Sequence, residues 1–120
     1  MGTQKTFALI LGIVLVIVGI AGFIPGGLGL VRDGYFGTNP FHDVLHIIAG
    51  ACGIYAGTKG RGQGYNMIIG WIGVALAILG FIPGVKDLLL QYLKINTAIT
   101  VLHLVLGIIA LLVYYSASKE

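Results

Sequence analysis

Charge is what this sequence has least of. Only 9% of its 120 residues are Asp, Glu, Lys or Arg, against roughly 25% in a soluble domain. No water-soluble fold of this size hides 58% hydrophobic residues in one core, so lipid has to serve as part of the solvent. Cysteine is nearly absent. Cys52 stands alone, which excludes a disulfide framework and a Cys-x-x-Cys pair. Within its apolar run it is expected as a small buried residue. Basic runs and aromatic–basic patches are missing and the net charge is only +3, so no nucleic-acid partner is expected. Hydrolytic machinery is missing too: no Ser or Cys nucleophile has a base at sensible spacing, and no carboxylates pair. The glycine-rich turn at 60–64 lacks the Lys-Ser signature of a phosphate loop,. The expectation is a protein that is not an enzyme.

Long apolar runs are what the chain has instead, at about 6–24, 41–57, 65–82 and 95–115. As helices each is roughly 25–32 Å long, close to the hydrocarbon thickness of a bilayer. The first outlasts a signal-peptide core and lacks a small-x-small cleavage site, so it reads as a retained span. Residues 1–6 match a myristoylation pattern,, but four spans gain little from one acyl chain and the match reads as chance. Lys5, Lys59, Arg61 and Lys119 fall on one side, and Arg32, Lys86 and Lys94 on the other. The excess of positive charge on the inner side of membrane proteins then places both termini in the cytoplasm. The localisation expected is a multi-pass protein of a bacterial cytoplasmic (inner) membrane or a related internal membrane.

The runs repeat. Ile10, Gly12, Val16, Ile20 and Gly22-Phe23-Ile24-Pro25-Gly26 recur identically 58 positions on, from Ile68 to Gly84. Tyr35-x3-Asn39-x4-Val44-Leu45-His46-x3-Gly50 recurs 57 positions on as Tyr92-x3-Asn96-x4-Val101-Leu102-His103-x3-Gly107. Proline cannot continue a helical ladder and glycine relaxes the backbone, so spans one and three are expected to stop at the same face. Two spans per copy make the copies parallel, related by an axis along the membrane normal. The fold class expected is all-α: a four-transmembrane-helix bundle of two tandem parallel-repeat hairpins. It forms a single membrane domain, 1–120, with repeat one at about 6–57 and repeat two at about 65–116. Residues 85–95 place Val85, Leu88, Leu89, Tyr92 and Leu93 opposite Lys86, Asp87, Gln91 and Lys94. That is a short amphipathic helix, expected on the interface before the fourth span. Asn39-Pro40 reads as a helix start, and Asn96 as the matching cap of the fourth span. Ala49, Gly53 and Gly57, with Gly12, Gly19 and Gly22 on span one, read as helix-packing positions. Tyr65, Tyr114 and Tyr115 fit an interfacial belt better than Trp71 does.

An imidazole inside hydrocarbon is costly and marks a site. His46 and His103 incur that cost at equivalent positions, each one helical turn before a glycine, Gly50 or Gly107. Three uses are open. The imidazoles can hydrogen-bond between helices. They can ligate a tetrapyrrole, haem b or chlorophyll, with His46 and His103 as axial ligands and Gly50 and Gly107 giving clearance. They can join His42 and Asp43 in a proton or small-solute path, although no ionisable residue continues it through the inner half. His42, Asp43 and His46 also offer three metal donors, but Ile99 and Thr100 replace the first two in the second copy, so symmetry supports no metal site. Asp43 is expected near the start of its helix, where the dipole favours it.

Asn39-Pro40-Phe41-His42-Asp43-Val44-Leu45-His46-x3-Gly50, following a span that ends in Gly-Phe-Ile-Pro-Gly, resembles an uncharacterised bacterial family of four-helix integral membrane proteins, catalogued as a domain of unknown function. The resemblance covers most of the chain. It implies a four-span fold and carries no activity. The function expected is a small polytopic integral membrane protein, a non-enzymatic structural or accessory component of a membrane assembly. Its partners would be the lipid bilayer and a second copy or a larger membrane complex. The alternatives are a haem- or chlorophyll-binding subunit and a small-solute or proton transporter.

Overall fold

The computed structural model describes residues 2–24, 40–93 and 97–117. Among these described residues five helices form: α1 (Thr3–Ala21), α2 (Pro40–Thr58), α3 (Gln63–Gly80), α4 (Val85–Leu93) and α5 (Thr97–Ser116). The described residues contain no strand, so the fold is all-α. α1, α3 and α5 are long and apolar enough to cross a membrane. α2 is as long as α1 at 19 residues. Its His42, Asp43 and His46 lower its apolar character, which leaves three such helices among the described residues rather than the four expected.

Helix ends follow the chemistry of the repeated segment. α1 stops at Ala21 and α3 at Gly80, short of the expected 24 and 82. The helices tighten before the proline is reached. Phe23 and Ile24 donate to the carbonyls of Ile20 and Ala21, three residues back. Phe81 and Ile82 donate in the same way to Ile78 and Leu79. These bonds satisfy carbonyls that the end of a helix leaves open. Pro40 is the first residue of α2, where its missing N–H costs nothing. Asn39 and Asn96, the expected caps, and Tyr35 and Pro25 lie outside the described residues. The turn from α2 to α3 passes through Gly62 at φ +84°, and a Cβ there would lie 2.7 Å from the Gln4 carbonyl oxygen. Both facts call for glycine.

α1 packs along α2, and α3 packs along α5. Small residues set both contacts. A Cβ on Gly12 would lie 2.6 Å from the Gly50 carbonyl, and one on Gly107 2.8 Å from the Gly70 carbonyl. Gly57 closes on Leu9 and Gly19 on Ile47 in the same manner. The two pairs touch each other more sparsely. Tyr65 of α3 reaches across to donate to the Ala49 carbonyl of α2 at 2.9 Å.

Polar residues cluster inside. Gln4, Asp43 and Asn66 are fully buried, and His42 and Thr100 nearly so. The outside is apolar: Ile10, Ile17, Ile48, Ile78 and Leu112 are each more than half exposed. This inverts the pattern of a water-soluble bundle. Cys52 is exposed on α2 rather than buried, because the other side of that turn is taken by Gly53 against Ala8 and Tyr65. α4 forms where the amphipathic pattern places it, with Val85 and Leu89 half-buried and Leu88 and Leu90 exposed.

Candidate functional site

His42 and His46 stand one turn apart on α2, so they share a face. Asp43 is rotated about a quarter-turn from His42 and faces α1 instead. Its carboxylate occupies the space where a side chain on Gly22 would project. Both its oxygens are buried with no hydrogen-bond partner among the described residues. It lies in the first turn of α2, as the helix dipole favours.

His103 enters from α5. Its ring centroid is 5.9 Å from that of His42 and 6.4 Å from that of His46, while His42 and His46 are 4.2 Å apart. His46 and His103 thus come together across the two hairpins, and His42 completes a triangle. His42 is buried and the other two are half-buried. The Nδ1 atoms of His46 and His103 are buried without a hydrogen-bond partner among the described residues. The interhelical hydrogen bond expected for these imidazoles is therefore not what the Nδ1 atoms make.

The three rings line a cavity of about 390 Å³ between the hairpins. Leu11 and Leu15 of α1, Leu76 of α3 and Leu106 of α5 make up much of the rest of the wall, which is almost wholly apolar. Gly107 also lines it, but Gly50 does not. The space beside both glycines is taken by neighbouring helices. A Cβ on Gly50 would meet the Gly12 carbonyl at 2.5 Å, and one on Gly107 would meet the Val74 nitrogen at 2.8 Å. These glycines let helix backbones approach each other.

A second polar cluster lies at the other end of the bundle. Gln4 Nε2 donates to the carbonyls of Val113 at 2.8 Å and Tyr114 at 3.1 Å. Asn66 Nδ2 donates to Gln4 Oε1 at 2.8 Å and to the Gln4 carbonyl at 3.0 Å. This clamp joins α1, α3 and α5. Sequence reasoning missed it, because Gln4 and Asn66 sit near span ends where solvent exposure is the ordinary expectation. As metal donors it grouped His42 and His46 with Asp43 rather than with His103, which it joined to them only in a proton or solute path. The spacing of His42 and His46 was a visible signal; the approach of α5 was not.

The fold and the site define a class: an all-α chain, apolar outside, with an internal histidine cluster and, among the described residues, three helices long and apolar enough to cross a membrane. Within that class the chain belongs to the family described as "Domain of unknown function (DUF4383)", whose model matches residues 5–116. No curated protein and no solved structure matches it.

Proposed function

We propose that the chain is a small four-span integral membrane protein, non-enzymatic, serving as a structural or accessory component of a membrane assembly. The observation that carries this is the inverted distribution of polarity. Large apolar side chains cover the outside, while Gln4, Asp43, Asn66 and Thr100 are buried. Surface of that kind is stable only against lipid or protein. α2 joins as a fourth crossing on the same logic. Its polar His42 and Asp43 point inward, and Phe41, Val44, Leu45, Ile48 and Tyr55 cover its outer face.

The parallel-repeat organisation draws support from matched contacts. Gly12 meets Gly50 as Gly70 meets Gly107, and Gly22 meets Asp43 as Gly80 meets Thr100. Each pair maps onto the other through the sequence offsets. The excess of positive charge on one side supports the rest of the reading, with both termini cytoplasmic and a bacterial inner or related internal membrane as the location.

Cys52 tests the fourth crossing directly, being the single cysteine and exposed. In sealed vesicles it should react with a lipid-soluble maleimide and not with a charged, impermeant one. Reaction with the impermeant reagent would remove α2 from the bilayer. Membership of an assembly is tested by extraction in mild detergent from the native membrane. A particle far heavier than the 12.6 kDa chain and its micelle is expected; a lone monomer would overturn the accessory role.

A second reading, tetrapyrrole ligation by His46 and His103, draws on their 6.4 Å separation across two helices. The His42 ring stands beside the line between them, where the macrocycle would pass, so His42 would have to swing aside. A Soret band lost in His46→Ala and His103→Ala supports this reading, and a colourless, folded protein removes it.

A further inference from the structure

We propose that His42, His46 and His103 form a binding site for a transition-metal cation of the zinc–copper group. One ligand nitrogen from each ring lies within 4.8 Å of the others. Three histidine ligands are a known donor set for such ions, leaving a fourth position open. On a tetrahedral zinc at about 2.0–2.1 Å, the nitrogens would stand about 3.3–3.4 Å apart. The present nitrogens, within 4.8 Å of one another, have to draw together by up to about 1.5 Å to reach that spacing,.

Three further observations point to a ligand. The Nδ1 atoms of His46 and His103 are buried and have no hydrogen-bond partner among the described residues. A buried polar atom in that condition costs free energy that a metal bond or a water would offset. The rings also lie on a shared cavity, so the fourth position has room for a water or a small exogenous ligand. Finally, the wall around them is apolar, which strengthens coordination by excluding bulk water. Each imidazole gives a lone pair from its unprotonated nitrogen. No electron is transferred, and what leaves is the water on the entering ion.

The donor set explains why the repeat hid it. Two ligands come from one helix turn of α2 and one from α5, so the site is asymmetric. Ile99 stands where a symmetric fourth imidazole would be. A metal here would tie the first hairpin to the second where their direct contacts are sparse.

The test uses the full chain in detergent micelles, without a histidine tag and stripped by a chelator. Co²⁺ serves as the optical probe, followed by Zn²⁺ and, under reducing conditions, Cu⁺. One Co²⁺ per chain is expected, with the intense visible bands of a tetrahedral site and displacement by Zn²⁺. His46→Gln and His103→Asn should each weaken binding at least tenfold while helical circular dichroism is kept. Absence of bound Co²⁺, Zn²⁺ and Cu⁺ in the wild-type chain overturns the proposal, as does unchanged affinity in both variants. The wild-type titration decides alone if a variant loses its helicity.

Discussion

Gly12 and Gly50 touch through their backbones: a Cβ on either would come within 2.6 Å of the other's carbonyl oxygen. Van der Waals contact drives helix association in lipid, so this approach is the centre of the first hairpin. Gly12→Ala and Gly50→Ala should each destabilise by about 1–3 kcal/mol, the cost of overpacking where backbone cannot yield. Gly107→Ala should match them, since its Cβ would meet the Gly70 carbonyl and the Val74 nitrogen at 2.8 Å. Gly70→Ala should cost less, because its closest obstacle is the Leu111 side chain, which can rotate. Unfolding by denaturant in micelles, followed by circular dichroism, ranks the four.

At the histidine end of the bundle, Gly22 yields to the Asp43 carboxylate and Gly80 to the Thr100 side chain. The obstacle in both cases is a removable group rather than backbone. Gly22→Ala should therefore be destabilising alone and nearly tolerated in an Asp43→Ala background. Gly80→Ala should likewise be relieved by Thr100→Ala. Coupling energies of about 0.5–3 kcal/mol are expected for residues in direct contact. Two additive cycles would show that the pairs do not meet.

Gln4 and Asn66 should behave as a unit. Gln4→Leu removes the Oε1 acceptor from Asn66, which keeps only the Gln4 main-chain carbonyl, and leaves the Val113 carbonyl without its side-chain donor. Interhelical hydrogen bonds in membranes are worth about 0.6–2 kcal/mol, so each single variant should lose about that much. The double variant Gln4→Leu/Asn66→Leu should lose less than the sum, because no buried polar group remains unpaired. A double-mutant cycle on thermal midpoints measures the difference.

What could be read before folding divides along one physical line. Periodicity, proline and glycine act locally, and they placed α1, α3, α4 and α5 within a few residues and set Pro40 at the start of α2. They overshot the ends of α1 and α3, because the last turn tightens at Phe23 and Phe81 before proline has to stop it. Gly50 and Gly107 were singled out as space for a ligand; their space is filled by the opposing helix. A glycine in a membrane helix looks the same in sequence whether a cofactor or a backbone lies beside it. The pairing of His42 with His103 was hidden for a related reason. It depends on the angle at which one hairpin meets the other, and no local pattern encodes that angle. Cys52 shows the same limit, since an apolar run alone does not say which face looks outward.

The proposed metal site has a consequence for stability that ligand affinity alone does not test. His42 and His46 lie on α2 and His103 on α5, so a bound ion joins hairpins that otherwise meet through few contacts such as Tyr65 with Ala49. An ion that binds only the folded chain stabilises it by about 2.7 kcal/mol when free metal is a hundredfold above Kd. Zn²⁺ should therefore raise the thermal midpoint of the wild-type chain. His103→Asn should abolish the rise, since the two remaining ligands sit on one helix and no longer bridge. Mg²⁺, which prefers oxygen donors, should leave the midpoint unchanged. If Zn²⁺ stabilises wild type and His103→Asn equally, the ion binds elsewhere and does not link the hairpins.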